Sequence, residues 1–216
     1  MKKLFFIYTN PRFLTALYSP VMAREFDHDP QVDVTFLLDQ SILKDTLRNN
    51  VIPSAGVQRR LERLIQNCQD GGADCVVVGC TAMNLATNAL APQFQIPVIS
   101  IDEPMVQRIA ADGRKRVAIL THAADNGETI QRRLAHFGIE SMVFVVPITK
   151  EAMDNPQEKT TCFEACAANI EDRFDCIALG HISADDIRFA GLSIPVYRSG
   201  RECVAEIKKY LFSEKR

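Results

Sequence analysis

Short apolar runs alternate with amphipathic segments along the chain, which predicts an α/β fold. Residues 75–78 are continuously apolar, as is typical of a central parallel strand covered on both faces. Val57, Leu61 and Ile65 recur at helical spacing, and Gly71-Gly72 ends that helix. We predict strands at 3–8, 32–38, 75–78, 96–101, 116–120, 142–146, 176–179 and 194–197. We predict helices after Pro11, over 57–68, from about 82, after 102, and around 130–137, 163–174 and 204–211.

Three segments recur in the same order in the two halves of the chain. Residues 74–81 match 175–182 at an offset of 101, and both are followed by Ile-Pro-Val, at 96–98 and 194–196. Residues 7–10 match 119–122 at an offset of 112. The alternative is that parallel sheets produce such similarities by chance. Three matches in one order favour two similar α/β halves.

Composition and charge exclude several classes of protein. With 216 residues, 47% of them hydrophobic, the chain can bury a sizeable core, which disordered proteins lack. Lys and Arg (25) nearly balance Asp and Glu (27), so nucleic acid or a membrane surface is a poor partner. No apolar run approaches the ~18 residues of a membrane span, and the apolar start is shorter than a signal peptide's ~7–15 residues. We expect a cytoplasmic protein.

The cysteines agree with a reducing compartment. There are 7 of them, an odd number, and no CxxC pair. Their spacing to the histidines does not fit a zinc site, so we expect no structural metal. Most of them should be buried small hydrophobic residues.

Two chemically active residues occupy matching places in the repeat. Cys80 follows Gly79 at one predicted strand end, and His181 follows Gly180 at the equivalent end. Sites in open parallel sheets form beyond the carboxyl ends of the strands. If the halves face each other, Cys80 and His181 approach one cleft from opposite sides. Thr9, Asn10, Thr121 and His122 would line the same cleft.

Cys80 is the strongest catalytic candidate in the sequence. A helix that starts after it would favour the thiolate and lower a pKa of ~8.5. His181 can donate or accept a proton near neutral pH, and His122 competes for that role. The alternatives are a buried inert cysteine and hydrogen-bonded structural histidines.

Small polar residues near these strand ends are candidates for binding a carboxylate. They are Asn10, Thr81, Asn84 and Thr121, and each can equally be a helix cap or a solvated helix residue. Arg12, Lys44 and Arg48 are long enough to reach a distal carboxylate, and the sequence does not choose among them. Neither a phosphate-binding GxxxxGK[ST] or GxGxxG motif nor a GxSxG motif occurs.

The order and spacing of these motifs resemble the aspartate/glutamate/hydantoin racemase superfamily over nearly the whole chain. The matching segments are 9–11, 37–41, 72–74, 79–84, 96–104 and 117–121. The resemblance implies two flavodoxin-like halves related by a pseudo-twofold axis, with the active site between them. The first half would span 1–102, with a C-terminal helix at about 199–216 packing back on it, and the second would span 103–198.

The resemblance also implies a mechanism that needs no cofactor. In the family, two cysteines flank the substrate's acidic carbon; one removes a proton as thiolate, and the other returns one to the opposite face. Cys80 matches the first cysteine, whereas His181 occupies the second position. Relatives with a single cysteine resemble decarboxylases. A dimer is usual for such relatives.

We therefore predict a cofactor-independent racemase or epimerase that acts on a small carboxylated C–H acid of the amino-acid or hydantoin type. Cys80 and His181 would be its two acid/base groups. The first alternative is a single-cysteine decarboxylase or lyase, because loss of CO₂ forms the carbanion without a base. The others are a non-catalytic protein that binds a small ligand and, less favoured, a Cys-His hydrolase.

Overall fold

The computed structural model describes residues 1–11, 22, 25–49 and 52–212. The chain divides into two compact units. Unit 1 comprises Met1–Pro104 and Cys203–Arg216, and unit 2 comprises Met105–Glu202. The helix predicted after Pro11, and with it Arg12, lies outside the described residues, apart from helical positions at 22 and 25–26.

Unit 1 contains a sheet of four parallel strands. They are β1 (Lys2–Tyr8), β2 (Val32–Leu38), β3 (Cys75–Val78) and β4 (Val98–Ser100), in the order β2-β1-β3-β4. Between them lie the helices α1 (Gln40–Arg48), α2 (Ala55–Asp70) and α3 (Asn84–Leu90). Helix α4 (Glu103–Ala111) follows β4 and contains the boundary to unit 2.

Unit 2 repeats the same strand order. Its strands β5 (Arg116–Thr121), β6 (Glu140–Val145), β7 (Cys176–Leu179) and β8 (Val196–Arg198) are parallel and ordered β6-β5-β7-β8. Its helices include α5 (Ala124–Ala135), α6 (Lys150–Asp154) and α7 (Pro156–Ala168). Helix α8 (Ser199–Phe212) contains the boundary back to unit 1. Two α/β halves with equivalent sheets confirm the predicted fold class.

The cores form where the sequence pattern places them. The buried face of α2 comprises Val57, Leu61, Ile65 and Cys68, and it packs against β3 side chains such as Val76. Burial of each Val, Leu or Ile side chain contributes about 1.5–3 kcal/mol. In unit 2, two clusters lie on the two faces of the sheet, as a parallel sheet covered on both sides requires. None of the described helices is long and apolar enough to span a membrane.

Helix α1 is absent from the sequence prediction. It buries only Ile42 and Thr46, so its apolar stripe is too short to be recognised by periodicity. Its start is set by the Asp39 carboxylate, which accepts hydrogen bonds from the Ser41 and Ile42 N–H groups. The helices predicted around 130–137 and 163–174 end earlier, at 135 and 168, and turns follow them.

The hydrogen bonds correct one of the three sequence matches. Leu4 is the partner of Cys75 in unit 1, and Val117 is the partner of Cys176 in unit 2. Since the 101-residue offset equates the two cysteines, it also equates Leu4 with Val117, an offset of 113. The predicted offset of 112 is therefore wrong by one residue. Thr9 corresponds to His122, and Tyr8 corresponds to Thr121.

The glycine before each candidate residue is required by close packing. A Cβ atom on Gly79 would overlap the ring of Tyr8. A Cβ atom on Gly180 would lie 2.9 Å from the Cβ of Thr121, the residue equivalent to Tyr8. The N–H groups of both glycines donate to carbonyl oxygens of the neighbouring strand, at 2.9 Å to Ile7 and 2.7 Å to Leu120. Both units therefore place a glycine where an adjacent side chain leaves no room for another.

Candidate active site

Cys80 lies beyond the carboxyl end of β3, at the start of the 3-10 helix Thr81–Met83 that precedes α3. The Met83 N–H donates to the carbonyl oxygen of Cys80 at 2.9 Å and closes this turn. The backbone N–H groups of Ala82 and Met83 act on the Cys80 sulfur and lower its pKa. Donors placed in this way stabilise a thiolate more than a thiol. We call residues 80–83 the Cys80 turn.

The pKa of Cys80 is nevertheless raised, and burial is the largest cause. The Thr9 hydroxyl and the two backbone N–H groups lower the pKa, whereas the negative charge of Asp102 raises it further. The sequence prediction of a lowered pKa is wrong for this structure, because it weighed the helix start without the cost of removing the sulfur from water. Cys80 is a thiol at neutral pH in the absence of a ligand.

The polar groups around Cys80 come from three strand ends. Asn84 is 1% exposed, and its Nδ2 donates to Asp102 Oδ2 at 2.7 Å. Asp102 lies two residues after the end of β4 and is also 1% exposed. Thr81 is buried, and Asn10 is partly buried just after Thr9. The predicted residues of unit 1 thus lie at one edge of its sheet.

His181 occupies the equivalent turn of unit 2. It precedes the 3-10 helix Ile182–Ala184, and the Ala184 N–H donates to its carbonyl oxygen at 3.0 Å. Its Nδ1 accepts the Ser183 N–H at 3.2 Å and lies 2.6 Å from the Ser183 hydroxyl. An Nδ1 atom that accepts an N–H bond carries no proton, so the neutral ring holds its proton on Nε2. We call residues 181–186 the His181 turn.

His122 lies beside His181. It follows β5 directly, and the two rings meet edge to face with their centroids 4.7 Å apart. Burial lowers the pKa of His181 to about 3, and the proximity of His122 acts in the same direction. His181 is therefore neutral at physiological pH.

The two units share one pattern of neighbours. In unit 1, the residue after the first strand, Thr9, interacts with Cys80. In unit 2 the equivalent residue, His122, contacts His181. Each half thus brings a side chain from its first strand end to the acid/base residue that follows its glycine.

The family model for Asp/Glu/Hydantoin racemases matches residues 15–181. The chain belongs to this family. The match covers more than half of the sequence and includes both Cys80 and His181. No curated protein matches the sequence.

Solved structures of this racemase fold include enzymes with several activities. The aspartate racemase of Picrophilus torridus has a TM-score of 0.69 and 13% identity, over 98% of this chain and 94% of that one. A mutant maleate cis-trans isomerase of Nocardia farcinica, with a covalently bound succinylcysteine intermediate, has a TM-score of 0.65 and 15% identity, over 97% and 92%. A mutant of arylmalonate decarboxylase has a TM-score of 0.60 and 19% identity, over 99% and 95%. At these identities, the similarity establishes the fold and leaves the reaction open.

Some of the residues that were predicted to bind a ligand in this racemase-family chain contact other protein groups or lie exposed. The Thr121 hydroxyl donates to the Ala123 carbonyl oxygen at 3.0 Å and accepts its N–H at 3.1 Å, so it closes a turn. Lys44 and Arg48 lie exposed on α1, where Arg48 pairs with Asp45 at 3.3 Å. In the described part of the chain, no group of three or more His, Cys, Asp or Glu side chains is arranged to hold a metal ion.

Ser183 and Lys159 were missed from the sequence, and Thr9 was expected to line the cleft but was not matched with His122. Thr9 is recognisable from the repeat once the offset is 113, because it then matches His122. Ser183 is recognisable by the same logic, because it matches Ala82, whose N–H lowers the pKa of Cys80. Lys159 contacts the His181 turn from α7 and has no counterpart in the repeat.

Proposed function

We propose that this protein is a cofactor-independent isomerase, a racemase or epimerase of a small carboxylated C–H acid of the amino-acid or hydantoin type. One observation carries the proposal. Cys80 and His181 each follow a glycine at an equivalent strand end, and each begins a 3-10 turn that is closed by an N–H bond to its own carbonyl oxygen. Two proton-transfer groups related in this way suit a reaction that removes a proton from one face of a carbon and returns one to the other.

In one direction, Cys80 removes the α-proton as a thiolate. The N–H groups of Ala82 and Met83 and the hydroxyl of Thr9 already lower the pKa of this thiol. They stabilise the negative charge that appears there when the thiol loses its proton. Proton transfer by a positioned group contributes about 10²–10⁴-fold to a rate.

His181 is the second acid/base group. The protonated ring returns a proton from Nε2, and in the reverse direction the neutral ring with its proton on Nδ1 receives one at Nε2. When Nε2 has given up its proton, Nδ1 must hold one, and the Ser183 oxygen 2.6 Å away can accept that N–H. A thiolate with a protonated imidazole binds as many protons as a thiol with a neutral imidazole. Cys80 and His181 therefore titrate as a pair, with pKa values that belong to both.

The substrate carboxylate binds to the neighbouring polar groups. Its proposed ligands are Asn10, Thr81, Asn84 and His122. A carboxylate close to His181 favours the protonated ring, which offsets the low pKa that the ring has without ligand. We expect the enzyme to work as a cytoplasmic homodimer without nucleic acid, membrane or cofactor; light scattering tests the dimer.

The deciding experiment follows the α-proton of candidate substrates in D₂O. The purified protein is incubated with single enantiomers of amino acids, hydantoins and substituted malonates, and NMR, chiral chromatography and CO₂ detection are run in parallel. Deuterium exchange accompanied by formation of the other enantiomer supports the proposal. Silence across the whole panel contradicts it and favours a protein that only binds its ligand.

A decarboxylase is the second candidate, and the protonation states favour it. Without ligand, Cys80 is a thiol that can donate its proton, and His181 is a neutral ring whose Nε2–H can donate a hydrogen bond, so no thiolate is present to act as a base. Loss of CO₂ leaves a carbanion that needs only a proton donor. In the same panel, CO₂ release from a malonate without racemisation of amino acids decides for this reaction.

A further inference from the structure

Lys159 lies at an unusual place for a lysine. On α7, Lys159, Phe163 and Ala167 are four residues apart and form the buried face of the helix. Phe163 and Ala167 pack in one core with Ala184 and Ile187, which follow His181. Lys159 continues this face with only 7% of its surface exposed. A buried ammonium group is costly unless it is paired.

The position along the helix adds a second cost. Lys159 lies in the first turns of α7, because its N–H donates to the carbonyl oxygen of the capping residue Asn155 at 2.9 Å. The amino end of a helix carries a partial positive charge, so acidic residues are favoured there and a lysine is not. Burial and the amino end of the helix both disfavour the charge of Lys159, so this charge requires strong compensating contacts.

The compensating contacts are all with the His181 turn. Nζ of Lys159 donates to both carboxylate oxygens of Asp186, at 2.7 and 2.9 Å. It also donates to the carbonyl oxygen of Ser183 at 3.1 Å. The three N–H bonds of the ammonium group thus match three oxygen atoms of this turn.

Ser183 connects the ammonium group to the imidazole. Its carbonyl oxygen accepts from Lys159, and its N–H and hydroxyl meet Nδ1 of His181. The backbone of Ser183 is therefore held from both sides. A shift of Ser183 would remove the N–H that keeps the proton off Nδ1.

We propose that Lys159 is a positioning residue that fixes the His181 turn and, through Ser183, the tautomer of the His181 ring. The inference rests on the proposed role of His181 in proton transfer, and it holds for racemisation and decarboxylation alike. In the step in which His181 gives a proton to the carbon, Nε2 must carry that hydrogen and face the reacting carbon.

Unit 1 explains why unit 2 needs such a residue. After the Cys80 turn the chain continues directly into α3, whose backbone hydrogen bonds hold the turn. After the His181 turn, residues 187–195 contain no helix. The turn that carries His181 is therefore held by a side chain from α7.

The test compares Lys159→Met with Lys159→Arg, which restores the charge, and with Lys150→Met as matched control. Lys150 is an exposed lysine at the start of α6. Nitrogen-15 NMR of the imidazoles reads which ring nitrogen of His181 is protonated, and a His181→Asn variant assigns its signals. This readout needs no substrate.

We expect the parent protein and Lys150→Met to show a single tautomer with the proton on Nε2. Lys159→Met should show a mixture of tautomers, and Lys159→Arg should restore most of the parent signal. If Lys159→Met does not fold, Asp186→Asn replaces it, because that side chain is 32% exposed and its loss leaves the core intact. An unchanged His181 tautomer in the folded variant overturns the proposal.

Activity supplies the second readout. With a substrate from the D₂O panel, kcat of Lys159→Met should fall roughly 10- to 100-fold with little change in KM, as displaced catalytic groups do. An equal loss in Lys150→Met would mean general instability and contradict a specific role. If the tautomer changes but the parent shows no activity on any substrate, the positioning role stands and the proposed function fails.

Discussion

The Cys80 turn and the His181 turn have the same backbone and opposite surroundings. Each follows a glycine at a strand end, and each begins a 3-10 helix closed by an N–H bond to the first residue's carbonyl oxygen, at 2.9 Å in unit 1 and 3.0 Å in unit 2. Around the Cys80 sulfur, N–H and hydroxyl groups favour the negatively charged thiolate, whereas burial disfavours it. Around the imidazole, burial and a second histidine disfavour positive charge.

The difference shows that the repeat determines position, whereas local contacts determine chemistry. A thiol and an imidazole occupy one geometric place, and both are neutral without ligand. The proposed reaction therefore requires that ligand binding shift one of these groups to its charged form. Experiments that alter one turn and leave the other intact separate these contributions.

The largest expected effect comes from removing the thiol. Cys80→Ser should lower exchange of the α-proton by about 10²–10⁴-fold, because an alcohol is a far weaker acid and a positioned proton-transfer group contributes that much. α-Proton NMR in D₂O measures it. Cys162→Ser is the matched control, since Cys162 is a partly exposed thiol on α7. Parent-like exchange in Cys80→Ser would exclude Cys80 as an acid/base group.

Removal of the imidazole should separate exchange from racemisation. In His181→Asn the amide oxygen can still accept the Ser183 N–H, so the turn should persist. We expect formation of the opposite enantiomer to stop, whereas exchange on the face of Cys80 continues. Chiral chromatography and NMR on the same samples distinguish the two. If racemisation continues at the parent rate, His122 or a mechanism with one thiol becomes the better explanation.

Substitution of Gly79 and Gly180 tests whether both turns depend on close packing at the glycine. Gly79→Ala should destabilise the fold more than Gly180→Ala, because its new methyl group overlaps the fully buried ring of Tyr8. Each should cost about 1–3 kcal/mol, the range for overpacked cores. Urea unfolding measures the free energy, and Gly56→Ala is the control, since the nearest atom to its Cβ is 3.7 Å away. Equal stability of all variants would contradict the packing argument.

The smallest effect is on the pH dependence of stability, and its sign differs between the turns. The folded pKa of His181 is about 3 against an ordinary 6.5, so the unfolded chain binds the extra proton, and stability falls as pH falls from about 6.5 towards 3. His181→Asn should flatten this acid limb. The folded pKa of Cys80 is raised above 9.0, so its contribution is present below that value and is lost as pH rises above it. Cys80→Ala should flatten the alkaline limb.

Urea unfolding across pH measures both slopes. Other buried cysteines with raised pKa values, such as Cys68 and Cys75, also weaken the protein at high pH, so Cys80→Ala removes only its own share. An acid limb that is identical in His181→Asn and the parent would show that His181 is protonated as easily in the folded protein as in the unfolded chain.

The sequence by itself determined the α/β class, the two similar halves, and the glycine-led places of Cys80 and His181. Apolar periodicity and strand-end motifs are local properties of the sequence, so they can be recognised without knowing which residues come into contact. The family resemblance rested on the same motifs and is confirmed by the family match. The offset of 112 failed because short strands look alike when displaced by one residue, whereas hydrogen bonds between strands do not.

Only the tertiary structure decided the protonation states and the contacts that hold the turns. The pKa of Cys80 depends on burial and on Asp102, and that of His181 on burial and on His122, which follows a different strand. Lys159 is 24 residues from Ser183 in sequence and reads as an ordinary polar residue at the start of a helix. Desolvation and hydrogen bonding arise between residues distant in the chain, so they follow from folding and not from any local pattern.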